Sequence, residues 1–169
     1  PVFDSKGNTI GSQGVQLDIT ESREAEKKIR ESEQLFSDIF YKSPVSFCIT
    51  SREDGLIVDA NNVFLNDLGF NRDEVIGKSI IELGIFADMS YRDKLISNLI
   101  KNGSVSMFEC PFLTKAGRIL YGIMSMSSIL FKGKLHQLTT VVDISDRKLA
   151  EIKLIENERL LNESQRVSG

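Results

Sequence analysis

Two stretches near the ends of the chain carry apolar residues at helical spacing, and the long segment between them is written mostly in short β-patterned runs. Ala25, Ile29, Ser32, Phe36 and Ile39 recur at alternating four- and three-residue intervals, and Ala150, Leu154, Asn157 and Leu161 repeat the same seam. Mixed Glu, Lys and Arg fill the flanks, so both stretches are predicted to be amphipathic helices. Between them, Val45 to Thr50 and Gly55 to Asp59 read as a first β-hairpin around the turn residues Ser51 to Gly55. Short helical pieces follow: Asn61 or Asn62 caps a turn carrying Phe64 and Leu68, and Asn71 caps Arg72 to Ile76 before Gly77 stops it. Ser90 then starts a longer helix with Leu95, Ile96, Leu99 and Ile100 on one stripe, ending at Lys101, Asn102 and Gly103. From Val105 onward the β signal dominates, through Val105 to Thr114, Arg118 to Leu130 and Leu135 to Ile144, with Gly-containing turns between. The order predicts an α+β fold, a five-stranded antiparallel sheet with short helices on one face, flanked by N- and C-terminal linker helices.

One segment is written twice. Asp18 to Glu26 and Asp143 to Glu151 match at an offset of 125 residues, and the likeness extends through Leu35 and Leu160, about 18 positions in all. Each copy runs from a strand end into a helix, and each follows an apolar stretch with a polar, Gly-containing turn. The expected organisation is therefore the C-terminal hairpin of a preceding module over 1–20, a linker helix over 21–42, one complete domain over 43–146, and over 147–169 a linker helix leading to a next module. Ser145, like Thr20 in the other copy, is expected to cap its helix, with Asp146 or Glu21 in the first turn.

Charge and composition narrow the partners. The 169 residues carry 21 Lys+Arg against 24 Asp+Glu, a formal net charge of −3, and the basic residues form no stripe of the kind that neutralises phosphates. Nucleic acid is not an expected partner. The longest apolar run, Ile119 to Met124, is about six residues against the roughly 20 that span a bilayer, so no membrane insertion is expected. Cys48 and Cys110 are isolated, without CxxC or Cys/His companions, and reduced, buried thiols in a cytoplasmic protein are expected.

Four segments in order resemble the PAS sensory domain family. Gly55 to Phe64 resembles its GxIxxxNxxF signature, and Leu68 to Lys78 its TGYxxxEhhGK segment. Lys115-Ala116-Gly117 resembles its KDG hairpin and Asp143 to Lys148 its closing DITERK. The resemblance covers about Glu33 to Lys148, while residues 1 to 20 resemble only the end of another such module. It implies a signal-sensing and relay domain of a multidomain signalling protein, such as a sensor histidine kinase or a cyclic-dinucleotide enzyme. No cofactor is implied. Flavin-binding members carry an adduct-forming Cys where this chain has Ser79-Ile80-Ile81-Glu82-Leu83, and haem-binding members an axial His on the longer helix, which has none here. In the leading fragment, Val15-Gln16-Leu17-Asp18 resembles the flavin-contacting last strand of photosensor members. His136, the one histidine, reads as an ordinary strand residue.

Nothing in the sequence spells catalysis: there is no P-loop, GxSxG or HExxH, and Asp59, Glu82 and Glu109 are not paired by spacing. The functional candidates are of other kinds. A ligand pocket between helices and sheet would be lined by Phe47, Ile57, Phe64, Leu68, Leu95, Phe108, Met124 and Val142. The Asp143-Ile144-Ser145 junction would couple the sheet to the exiting helix. The two helix seams, with polar Ser32 and Asn157 at matching positions, suggest register-setting and a homodimer, with adjacent PAS or output domains of the same chain as further partners. Two other functions fit the same residues: a dedicated small-molecule receptor, and a structural dimerisation spacer with a filled core.

Overall fold

The computed structural model describes residues 2–11 and 19–167, so Val15 to Asp18 and the start of the first repeat copy lie outside the described residues. The chain divides into two compact units, 1–38 and 39–169. The first holds a small antiparallel hairpin, β1 (Val2–Phe3) and β2 (Thr9–Gly11), and most of helix α1 (Thr20–Lys42). Its turn is built by Asp4, whose Oδ1 accepts the Lys6 and Asn8 amides at 2.8 and 2.9 Å while Gly7 takes φ 83°. An aspartate that satisfies amides two and four residues on is the usual reason such a turn closes.

The second unit, which includes the last turn of α1 from Ile39, is built on five antiparallel strands: β3 (Ser46–Ser51), β4 (Ile57–Ala60), β5 (Val105–Leu113), β6 (Ile119–Phe131) and β7 (Lys134–Asp143). Their order across the sheet is β4-β3-β7-β6-β5, so the first hairpin pairs with the last strand, Phe47 opposite Thr140 and Cys48 opposite Thr139. Between the hairpins run α2 (Asn62–Leu68), α3 (Arg72–Val75) and α4 (Met89–Asn102), and α5 (Ser145–Val167) leaves the end of β7. The fold is the expected α+β arrangement.

The core lies between the sheet and α2 to α4. Phe64, Leu68 and Leu95 from the helices meet Cys48, Ile57, Phe112 and Met124 from the strands, with Val75 and Ile85 completing it. Burying one such large side chain contributes about 2 kcal/mol. At Gly122 the sheet and core approach so closely that an added Cβ would stand 2.5 Å from Val141 Cγ1 and 2.8 Å from Phe112 Cε2.

Three caps set the helices. Asn61 is wholly buried: its Oδ1 accepts the Phe64 amide that opens α2 and the Phe47 amide of β3, each at 3.0 Å. Its Nδ2 donates to the carbonyls of Phe40 at 3.0 Å and Val45 at 2.7 Å. Glu74 returns to the Asn71 amide at 2.9 Å to open α3. The longer helix starts one residue earlier than its sequence suggests: Asp88 is the cap, its Oδ1 accepting the Ser90 amide at 2.8 Å, because a carboxylate competes well for a first-turn N–H.

Candidate functional site

Strand parity decides which predicted pocket residues share a face. Thr139 and Val141 of β7, Cys48 of β3 and Met124 of β6 point toward the helices and line a cavity of about 250 Å³. Phe64, Leu68, Leu95 and Met124, all expected at a pocket, are on its wall. Ile57 and Phe108 lie in or against the core without lining the cavity; Phe108 instead meets the Tyr91 ring edge-on at 6.4 Å. The expectation for Phe47 and Val142 is corrected. Both alternate onto the other face of the sheet, where Phe47 stacks on Phe40 with centroids 5.8 Å apart and Val142 is 49% exposed. Val141 takes the inner position that Val142 was expected to fill.

The wall is mostly hydrocarbon with a few polar groups. Burial, with the Asp59 charge a smaller cause, pushes the Cys48 thiol up to about 12, so it remains a neutral, apolar wall group. Cys110, outside the cavity, is pushed up to about 12 as well, mainly by burial. Asp54 also lines the space, but its Oδ1 is committed to the Leu56 amide at 3.1 Å. Arg92 on the wall pairs with Asp93 at 3.6 Å. Asp67, which the sequence reading passed over, lines the cavity from α2, one turn after Phe64 and beside Leu68. Burial, and secondarily the charge of Asp143, raises its carboxyl above the ordinary aspartate value.

The strand-to-helix junction is built differently from its sequence reading. Ser145 does not cap α5 with its hydroxyl; Asp143 Oδ1 instead accepts the Ser145 amide at 2.7 Å. The freed Ser145 Oγ accepts the Tyr121 amide at 3.0 Å, and the Ile144 amide donates to the Tyr121 carbonyl at 2.8 Å. One residue of β6 thus grips the junction from both its backbone groups. Glu109 on β5 holds the first turn of α5, accepting from Arg147 at 2.8 Å and Lys148 at 3.1 Å. These two cations, Lys148 first, keep the Glu109 carboxyl below the usual glutamate range.

On the far side of the sheet a polar cluster ties the end of α1 to β4 and α3. The Tyr41 hydroxyl donates to Asp59 Oδ2 at 2.7 Å, and Arg72 donates to the other carboxylate oxygen and to the Ala60 carbonyl at 2.8 Å. His136 is buried, its Nδ1 3.0 Å from the Lys134 carbonyl and its ring edge-on to Phe131. Among the described residues no group of three or more His, Cys, Asp or Glu is arranged to hold a metal ion. No helix among them is long and apolar enough to cross a membrane.

The predicted seam residues lie on the surface. Ala25, Ile29, Ser32, Phe36 and Ile39 of α1 are all exposed, Ile29 to 59% and Ile39 to 58%. Ala150, Leu154, Asn157 and Leu161 of α5 are exposed too, and that helix buries none of its residues.

A five-stranded antiparallel sheet that holds short helices over an inner cavity and hands its last strand to a long helix defines a class of small α+β modules. The PAS domain family model matches residues 44–146, and the chain belongs to that family. Sporulation kinase C of Bacillus subtilis is 32% identical over 119 residues, covering 68% of this chain and 27% of the kinase, so the chain spans about a quarter of that relative's length. Among solved structures, the PAS domain of an HTR-like protein from Haloarcula marismortui is similar with a TM-score of 0.58 at 22% identity, covering 72% of this chain and 99% of that one. A PAS domain from Colwellia psychrerythraea gives 0.57 at 19% identity, with 70% and 98% covered.

Proposed function

We propose that this PAS domain is a ligand-responsive relay module of a longer signalling protein, a sensor histidine kinase being the parent its kinase relative favours. The observation that carries the reading is continuity. The strands that wall the cavity, β6 through Met124 and β7 through Val141, are those whose ends hold the Asp143-Ile144-Ser145 junction through Tyr121. A molecule in the cavity that fits one arrangement of these strands better than another biases the start of α5. A ligand with equal affinity for both arrangements would shift nothing.

In this reading residues 43–146 are the sensing domain, 1–20 end a preceding module, and 21–42 and 147–169 are linker helices that pass the change along. The exposed seams of α1 and α5 support a homodimer through these helices, because apolar stripes this short gain little unless a second copy and the domains pair together. Native mass spectrometry beside the denatured spectrum tests both parts. A dimer with extra mass that is lost on denaturation is the expected result; a bare monomer at every concentration would defeat the reading.

A further inference from the structure

We infer that the cavity of this domain takes an apolar molecule bearing a basic, cationic nitrogen that sits against Asp67. The inference rests on the cavity's being the sensing site and adds the class of ligand. The argument starts from charge balance on the wall. Asp54 is satisfied by the turn it closes, and Arg92, the one cationic side chain lining the space among the described residues, is paired with Asp93. Asp67 is half-buried and has no hydrogen bond or ion pair among the described residues, and the charge that acts on it, Asp143, has its own sign. A carboxylate withdrawn from water without a partner is costly, and an ammonium group brought to it supplies both the charge and the hydrogen bonds that the protein withholds.

The rest of the cavity specifies the body of the ligand. Phe64, Leu95, Ile96, Phe112, Leu120 and Met126 contribute hydrocarbon, and Cys48 adds a neutral thiol. An engineered apolar cavity of roughly 150 Å³ holds benzene, so about 250 Å³ has room for a longer chain or a larger ring system. Met124 and Met126 are unbranched and adapt to irregular shapes, which suits a flexible tail. The residue whose charge acts on Asp67, Asp143, is also the one whose carboxylate accepts the Ser145 amide at the start of α5.

Three probes of one chain length separate the possibilities: n-heptylamine, heptan-1-ol and heptanoate, titrated into the 169-residue chain and followed by amide shifts at Leu68 and Val141. The amine is expected to bind at least tenfold tighter than the alcohol, and heptanoate weakest. Asp67→Asn, which keeps the shape, should bring the amine down to the alcohol's affinity while leaving the alcohol unchanged. Equal binding of amine and alcohol to the unaltered chain, or an amine preference that survives Asp67→Asn, overturns the inference while leaving the cavity as the sensing site. Failure of all three probes to move these amides overturns the cavity reading and the inference together. A thermal melt of ligand-free Asp67→Asn that matches the unaltered chain confirms that lost preference is not lost folding.

Discussion

Asn61 shows how much one side chain can organise. It closes β3, opens α2 and binds the carbonyls of Phe40 and Val45, and it is wholly buried while doing so. Asn61→Ala leaves two amides and two carbonyls without these partners, and an unmade buried hydrogen bond costs far more than a made one gains. Unfolding by urea should show a loss of about 3 kcal/mol. Gly122→Ala is destabilising for the opposite reason, too much matter, and overpacking of this kind costs about 1 to 3 kcal/mol in the same measurement. The capping role of Asn61 was legible because Asn before an apolar helical run is a recognised start signal. Its reach to Phe40 was not, since a bond across 21 positions leaves no trace in local spacing. Asp67 did leave a trace: three residues after Phe64 and one before Leu68, it shares the buried side of α2, and a lone acid on an apolar stripe is the signal that could have found it.

At the level of elements, strand parity is what takes Phe47 and Val142 off the cavity wall. In β7 the adjacent pair Val141-Val142 offers two equally apolar choices of face, and hydrophobicity alone cannot phase it. In β3, Phe47 and Ile49 are apolar on the side away from the helices because Phe40 covers Phe47 there, so both faces of the strand are buried and the alternation disappears. The start of α5 gives a pH prediction. Glu109 has its carboxyl lowered by Lys148 and Arg147, so its contribution is present above the ordinary glutamate pKa and is lost as pH falls through the lowered value. Hydrogen exchange at the first-turn amides of α5 should therefore quicken, relative to the intrinsic rate, on acidification below the ordinary glutamate pKa. Glu109→Gln should abolish that added response, whereas an unchanged acid response in the variant would assign it elsewhere.

For the whole molecule, the sheet, its helices and the PAS family were readable because four turn and cap motifs occur in order and each has a local physical cause. The cavity was not readable, since a space between core residues is written in no single residue. In the proposed relay the output depends on the angular phase of α5, which turns about 100° per residue. Inserting one Ala after Lys148 in the longer chain should change its signalling output, and inserting seven should largely restore it; output indifferent to both insertions argues against a register mechanism.

The cavity has a further consequence, in terms of volume. Space enclosed by a folded chain is given up on unfolding, which makes the volume change of unfolding more negative and lets hydrostatic pressure favour the unfolded chain. With about 250 Å³ beneath its sheet, this domain should unfold at lower pressure than after Met124 or Cys48 is enlarged to fill the space. Any molecule that binds the folded domain in the cavity should raise that pressure, through its binding free energy and through the space it fills. Compression would then report occupancy with no need to know what the occupant is.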